Sequence, residues 1–304
     1  MSDSAGGPVI PGVPFNFLAL LHDQSRLDRA RVVLIPVPYD STTSLRSGAR
    51  DGPNAIIQAS NGLEDYDWEL DTDVSEIGIH TTAALEPHMG GPEMMVGRVK
   101  QAVAGHLAAV GPAGPRIIGL LGGEHSVAIG AVQAHLEAHP DLSVLYLDAH
   151  ADLRDEYMGT PWGHASGARR IHDLCPLVLA GLRSVCQEER DFIKAQSVPA
   201  FGWPPDGDPD GYNQRIASRL SGPVYISVDL DVLDPSLMPA VGTPEPGGMD
   251  WLKLMGLLKD VARSHRIVGF DVCELSPGDG PPACSYTAAK LVYKLAAYAT
   301  AFGE

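Results

Sequence analysis

With 304 residues, 44% of them hydrophobic, the chain has ample material for a large soluble core. Its formal net charge of -16 argues against nucleic acid as a partner, which needs a basic face, and suits a small cationic ligand. No apolar run is long enough for a bilayer, and the N-terminus lacks the basic-then-apolar pattern of a secretory leader. Cys175, Cys186, Cys273 and Cys284 show no CxxC spacing, so free thiols in a reduced cytoplasmic setting are expected, with Cys273 buried.

The expected organisation is one domain over residues 1–304, with a partly irregular N-terminal arm over 1–30 carrying Gly6-Gly7-Pro8 and Pro11-Gly12-Val13-Pro14. Arg31 to Val37 reads as the first strand. A long loop rich in turn formers, 38–53, precedes a helix opened by Pro53. Residues 62–91, with the acidic run from Glu64 to Asp71, read as an irregular, partly exposed insertion. That run is either a solvated face or a cation-recognition segment. The periodicity predicts a helix from Pro92 to Val110, stopped by Gly111-Pro112.

A strand over Arg116 to Leu121 then ends in Gly122-Gly123-Glu124-His125-Ser126, and a helix runs to His139-Pro140. Next come a strand at 143–148, a loop at 153–163, and a helix from His164 to Ile171. A strand at 176–181 and a helix at 188–195 follow. The turn-rich stretch 202–211 reads as a surface loop. A helix near 212–220 leads to a strand at Val224–Val228, a helix from 250 to 265 with Asp250 as its N-cap, a strand at 267–272 and a last helix at about 285–301. Strands alternating with helices predict a three-layer α/β/α fold with a mainly parallel central sheet.

Chemistry concentrates where strands end, the place where open α/β sheets bind ligands. After the strand at 143 stands Asp148-Ala149-His150-Ala151-Asp152. Side chains alternate along an extended backbone, which predicts Asp148, His150 and Asp152 on one side. Asp229 and Asp231 repeat that spacing. Oxygen and nitrogen donors without thiolate suit a divalent ion such as Mn²⁺. Taken singly, Asp229 and Asp231 serve equally as turn caps, and His125 as a hydrogen-bonded turn histidine. Jointly, four aspartates and two histidines exceed the complement of one ion and fit two that share carboxylates.

Gly-Gly-Glu-His-Ser, Asp-Ala-His-Ala-Asp and Ser-Val-Asp-Leu-Asp-Val-Leu-Asp-Pro, in this order, resemble the ureohydrolase (arginase/agmatinase) family. So do Thr243 to Gly248, Glu274-Leu275-Ser276-Pro277 and the Ser47 to Pro53 loop. The resemblance spans about residues 31–302. It implies an arginase-like fold, two Mn²⁺ per subunit, and cleavage of a guanidino substrate to urea and an amine. One ion would be held by His125, Asp148, Asp152 and Asp229, the other by His150, Asp148, Asp229 and Asp231. Glu124 or Ser126 would orient the histidine ligand. Glu274 would pair with the guanidinium, His164 would carry the proton for the leaving amine, and Thr243 would line the pocket. A homotrimer or homohexamer is the family's common assembly.

Arginases follow their metal pentad with an asparagine; here Leu153-Arg154-Asp155-Glu156-Tyr157 stands there, closer to agmatinase-like members. Agmatine, giving putrescine and urea, is therefore the expected substrate, with Asp155, Glu156 or the 64–71 run facing its distal ammonium. N1-aminopropylagmatine is a close competitor, followed by guanidinobutyrate and arginine. A single-zinc deacetylase-like amide hydrolase and a non-catalytic family member are the readings from other classes.

Overall fold

A computed structural model of the chain describes residues 12–109, 114–206 and 209–303. The elements in chain order are β1 (Val32–Val37), α1 (Gly52–Ser60), β2 (Tyr66–Asp67), β3 (Thr72–Asp73), β4 (Ile79–Thr81), α2 (Pro92–Leu107), β5 (Ile117–Gly122), α3 (Val127–Ala138) and β6 (Ser143–Leu147). They continue as α4 (Gly167–His172), β7 (Leu177–Leu182), α5 (Gln187–Gln196), β8 (Ala200–Gly202), α6 (Tyr212–Ala217), β9 (Val224–Asp229), α7 (Trp251–Ser264), β10 (Ile267–Cys273) and α8 (Pro282–Ala301).

Eight strands form one sheet in the order β4-β1-β5-β10-β9-β6-β7-β8, and every pairing in it is parallel. Alternation along each strand feeds both faces. In β1, Val32 and Leu34 join the apolar layer beneath α1, α7 and α8, whereas Val33, Ile35 and Val37 join the layer beneath α2 and α3. In β6 the same split puts Leu145 and Leu147 on one face and Val144 and Tyr146 on the other. This is the three-layer α/β/α arrangement that the strand–helix alternation predicts.

Several segments depart from expectation. Residues 62–91 contain the β2–β3 hairpin and the edge strand β4, which pairs with β1. Part of the acidic run is paired within the fold: buried Asp67 and half-exposed Glu69 accept from Lys294 of α8, and Glu69 also accepts from Lys259, while Glu64 and Asp65 stay exposed. β8 falls between the predicted helix at 188–195 and the turn-rich stretch 202–211, where no strand is expected. The predicted helix stop at Val110 to Pro112, and the arm up to residue 11, lie outside the described residues. The arm's described end is anchored, since Leu18 N–H donates to Ser60 Oγ at 2.8 Å and Phe17 is fully buried. The four cysteines are free, and Cys273 is fully buried.

Candidate metal centre and cleft

The residues singled out in the sequence sit after β5, β10, β9 and β6, which are consecutive neighbours at the middle of the sheet. The parallel arrangement brings all four carboxyl ends to one edge. The turn after β5 is forced close to the chain after β1: Glu124 N–H donates to Tyr39 O at 2.7 Å, and a Cβ on Gly123 would lie 1.9 Å from that carbonyl oxygen. Only glycine permits this approach. It delivers His125, fully buried, above β6 and β9.

His125 Nδ1 faces three carboxylates, at 3.2 Å from Asp148 Oδ2, 3.5 Å from Asp229 Oδ2 and 3.8 Å from Asp152 Oδ2. His150 Nδ1 lies 2.9 Å from Asp231 Oδ2 and 3.5 Å from Asp148 Oδ1. Asp148 thus belongs to both groups, one with His125 and Asp152, the other with His150 and Asp231. All six residues expected as ligands converge, but strand alternation is not what gathers them. β6 ends at Leu147, and Asp152 adopts φ 50°, a left-handed conformation uncommon for a non-glycine residue. Tyr146 Oη donates to Asp152 Oδ2 at 2.8 Å and fixes that carboxylate. Asp231 likewise lies in a 3₁₀ turn over 230–232, where its N–H donates to Asp229 Oδ1 at 2.8 Å.

The second contact of His125 also differs from expectation. Glu124 and Ser126 do not orient its ring. Its Nε2 meets Ser227 Oγ at 2.8 Å, and that hydroxyl donates to Asp271 Oδ1 at 2.9 Å. With its only hydrogen given to Asp271, Ser227 accepts from Nε2–H, which leaves Nδ1 with a free lone pair toward the carboxylates. The ring also stacks on Tyr146, centroids 4.3 Å apart. Asp271, a fully buried carboxylate inside the apolar run of β10, was the available signal for this partner.

The charges within the cluster do not balance. Burial, then the neighbouring carboxylates, raise the pKa of Asp152, Asp229 and Asp231. Burial opposes charge on His150, but Asp148 and Asp231 outweigh it and push the imidazole up to about 12. For Asp148 burial is outweighed by His125 and His150, and its pKa falls. Four carboxylates against two imidazoles in a buried volume leave a surplus of negative charge. The donor set, oxygen and nitrogen with no thiolate among these six residues, fits a pair of hard divalent cations in that space.

A cleft of about 190 Å³ opens above this cluster, lined by His150, Asp152 and Asp229 and by His164, Thr243 and Glu274. Glu274 has φ 69°, and its Oε1 accepts from His125 N–H at 2.6 Å. Burial and then Asp229 and Glu124 hold its pKa well above the usual carboxylate range. Thr243 Oγ1 lies 3.4 Å from Asp231 Oδ2. Burial lowers the pKa of His164. Asp155 and Glu156 are not part of the lining. Asp155 is exposed and engaged by Arg170 at 2.6 Å and Arg169 at 3.6 Å, so the cleft does not receive it. Glu189, which the sequence reading passed over, does line the cleft. It is 5% exposed, and its oxygens accept from Leu153 N–H and Cys186 N–H.

The sheet and the cluster at its carboxyl edge define an α/β protein with a candidate binuclear metal centre. A profile of the Arginase family matches residues 30–297, and the chain belongs to that family. An N(1)-aminopropylagmatine ureohydrolase of Thermus thermophilus is 41% identical over 275 residues, covering 88% of this chain and 89% of the relative. An agmatinase of Pyrococcus horikoshii is 36% identical over 266 residues, covering 87% and 90%. The crystal structure of the agmatine ureohydrolase of Thermoplasma volcanium superposes with a TM-score of 0.84 at 30% identity, covering 95% of each chain. The chain is a hydrolase of the same family as these ureohydrolases.

Proposed function

We propose that the chain hydrolyses a polyamine-type guanidino compound to urea and an amine, with N1-aminopropylagmatine (giving spermidine) or agmatine (giving putrescine) as substrate. The single observation that carries this reading is the convergence of six metal-type ligands at the floor of a cleft that Glu274 also lines. We take the cations to be two Mn²⁺, held by His125, Asp148, Asp152 and Asp229 and by His150, Asp148, Asp229 and Asp231. When bound, they supply Lewis-acid activation of water and neutralise the carboxylate surplus.

The chain's own residues do the rest. The Glu274 carboxylate, braced by the His125 N–H, accepts hydrogen bonds from the planar guanidinium and presents its carbon to the cluster. Thr243 lines the same cleft. The amine that leaves needs a proton, and His164 at the cleft wall supplies it.

Glu189 supports a cationic tail. It is a buried carboxylate on the cleft with no cation within ion-pair distance among the described residues. The two arginines that also line the cleft are engaged elsewhere: Arg46 with Val241 O, Gly242 O and Asp279, and Arg154 stacked 4.7 Å over Tyr157. Exposed Leu45 and Val185 at the cleft rim add apolar wall for methylene groups. The relatives named for N1-aminopropylagmatine shift the balance from agmatine toward the longer compound. A trimeric or hexameric assembly and a cytoplasmic location complete the proposal. Among the described residues no helix is long and apolar enough to cross a membrane.

The test is a urea-release panel over N1-aminopropylagmatine, agmatine, guanidinobutyrate and arginine with Mn²⁺-loaded protein. The two amine-terminated compounds are expected to lead in kcat/KM. Preference for guanidinobutyrate or arginine would refute the assignment of the tail.

A further inference from the structure

We propose that Thr42 is a positioning residue that locks His164 in the Nδ1–H tautomer, so that the imidazole offers Nε2 to the cleft; this rests on the reading of His164 as proton donor. Thr42 lies in the loop after β1, far in sequence from both of its partners. Its N–H donates to Glu124 Oε2 at 2.6 Å, and its Oγ1 donates to Glu124 Oε1 at 2.8 Å. Glu124 is fully buried and also accepts from Ser126 Oγ at 2.5 Å, so its carboxylate is an acceptor on every side.

A threonine hydroxyl has one hydrogen and two lone pairs. The hydrogen goes to Glu124. One lone pair accepts from the His164 backbone N–H at 3.0 Å. The other faces His164 Nδ1 at 3.3 Å, and with no hydrogen left on the hydroxyl that contact is a hydrogen bond only if Nδ1 carries the proton. His164 Nε2 is then the lone-pair atom, 3.3 Å from Ser44 Oγ, on a ring that lines the cleft together with Ser44. A proton taken up by His164 therefore sits on Nε2 and leaves from it. The approach depends on Gly163, whose added Cβ would lie 3.2 Å from Thr42 Oγ1. Glu124 thus serves the loop after β1, and through it His164, rather than the metal ligand next to it.

The experiment is ¹⁵N-histidine NMR of protein loaded with diamagnetic Mg²⁺, the His164 signals being assigned by their loss in His164→Asn. It is read beside kcat and KM of the Mn²⁺ enzyme. Wild type is expected to show an unprotonated Nε2. Thr42→Val, matched in shape, is expected to lose that single tautomer. Its kcat should fall about tenfold to a hundredfold, a partial loss of the roughly 10²–10⁴-fold that a general acid contributes, with KM within about twofold. Thr42→Ser keeps the hydroxyl and is expected to restore both readouts. A wild-type His164 protonated on Nε2, or a tautomer unchanged in Thr42→Val, overturns the proposal. A tautomer that changes in Thr42→Val without loss of kcat supports the clamp and contradicts His164 as the proton donor.

Discussion

Asp148 is the residue on which the centre turns, because it alone faces both imidazoles, His125 at 3.2 Å and His150 at 3.5 Å. Asp148→Asn removes charge from both groups at nearly constant shape. Metal analysis after dialysis is expected to find fewer than two ions per chain, and urea release is expected to fall by more than about a thousandfold, as for loss of a ligand that activates the nucleophile. Folding should persist, since the variant relieves a crowd of carboxylates. Ser227→Ala tests the outer contact: it unties His125 Nε2 from Asp271, and metal affinity measured by competition is expected to weaken about 10–100-fold. An unchanged affinity would mean that Tyr146 stacking alone holds the ring. Ser227 stands two residues before a ligand in the sequence, yet its role could not be read there. It depends on β9 and β10 being neighbours, and strand order is not encoded locally.

At the scale of elements, the helix ends that carry local signals were legible. Asp250 caps α7 by accepting from Lys253 N–H at 2.8 Å, as its place before an amphipathic run predicts. Asp250→Ala is expected to lower stability by about 1 kcal/mol in chemical denaturation, with activity intact. The edge strands β4 and β8 were not legible. Each has three residues, and only pairing with β1 or β7 makes them strands. The pairing of Asp67 and Glu69 within the otherwise solvated acidic run is hidden from the sequence for a related reason. Their partner, Lys294, lies on the last helix, more than two hundred residues away in sequence.

That pairing makes a pH prediction. Burial opposes ionisation of Glu69, but Lys259, Lys294 and Tyr298 outweigh it and take its pKa from 4.5 to about 2. A depressed folded-state value contributes stability above pH 4.5 that is lost as pH falls toward about 2. The difference in Tm between wild type and Glu69→Gln should therefore shrink across that interval. A difference constant with pH would contradict the ion-pair account. Lys294→Met, which leaves the buried Asp67 without its cation, should destabilise by about 3–5 kcal/mol.

At the scale of the whole molecule, the alternation of strands and helices was enough to predict a parallel sheet covered on both faces, and the motifs were enough to single out six residues that the fold brings together. What the sequence left out was the way the ligands meet. Asp152 and Asp231 reach the centre through a left-handed residue and a 3₁₀ turn, geometries that a period-2 rule does not contain. Asp155, next to the pentad, is drawn off by Arg169 and Arg170, while Glu189 at the start of α5 reaches the cleft. Function on this sheet is thus assembled from the loops after β5, β6, β9 and β10, together with the long loop after β1.

The most direct test of the central claim is urea release measured on chelator-stripped protein as Mn²⁺ is returned in known ratio. Stripped protein is expected to show no turnover of N1-aminopropylagmatine or agmatine, and full activity is expected as occupancy reaches two ions per chain. Absence of urea from every guanidino compound tried, or turnover indifferent to the metal, would contradict it.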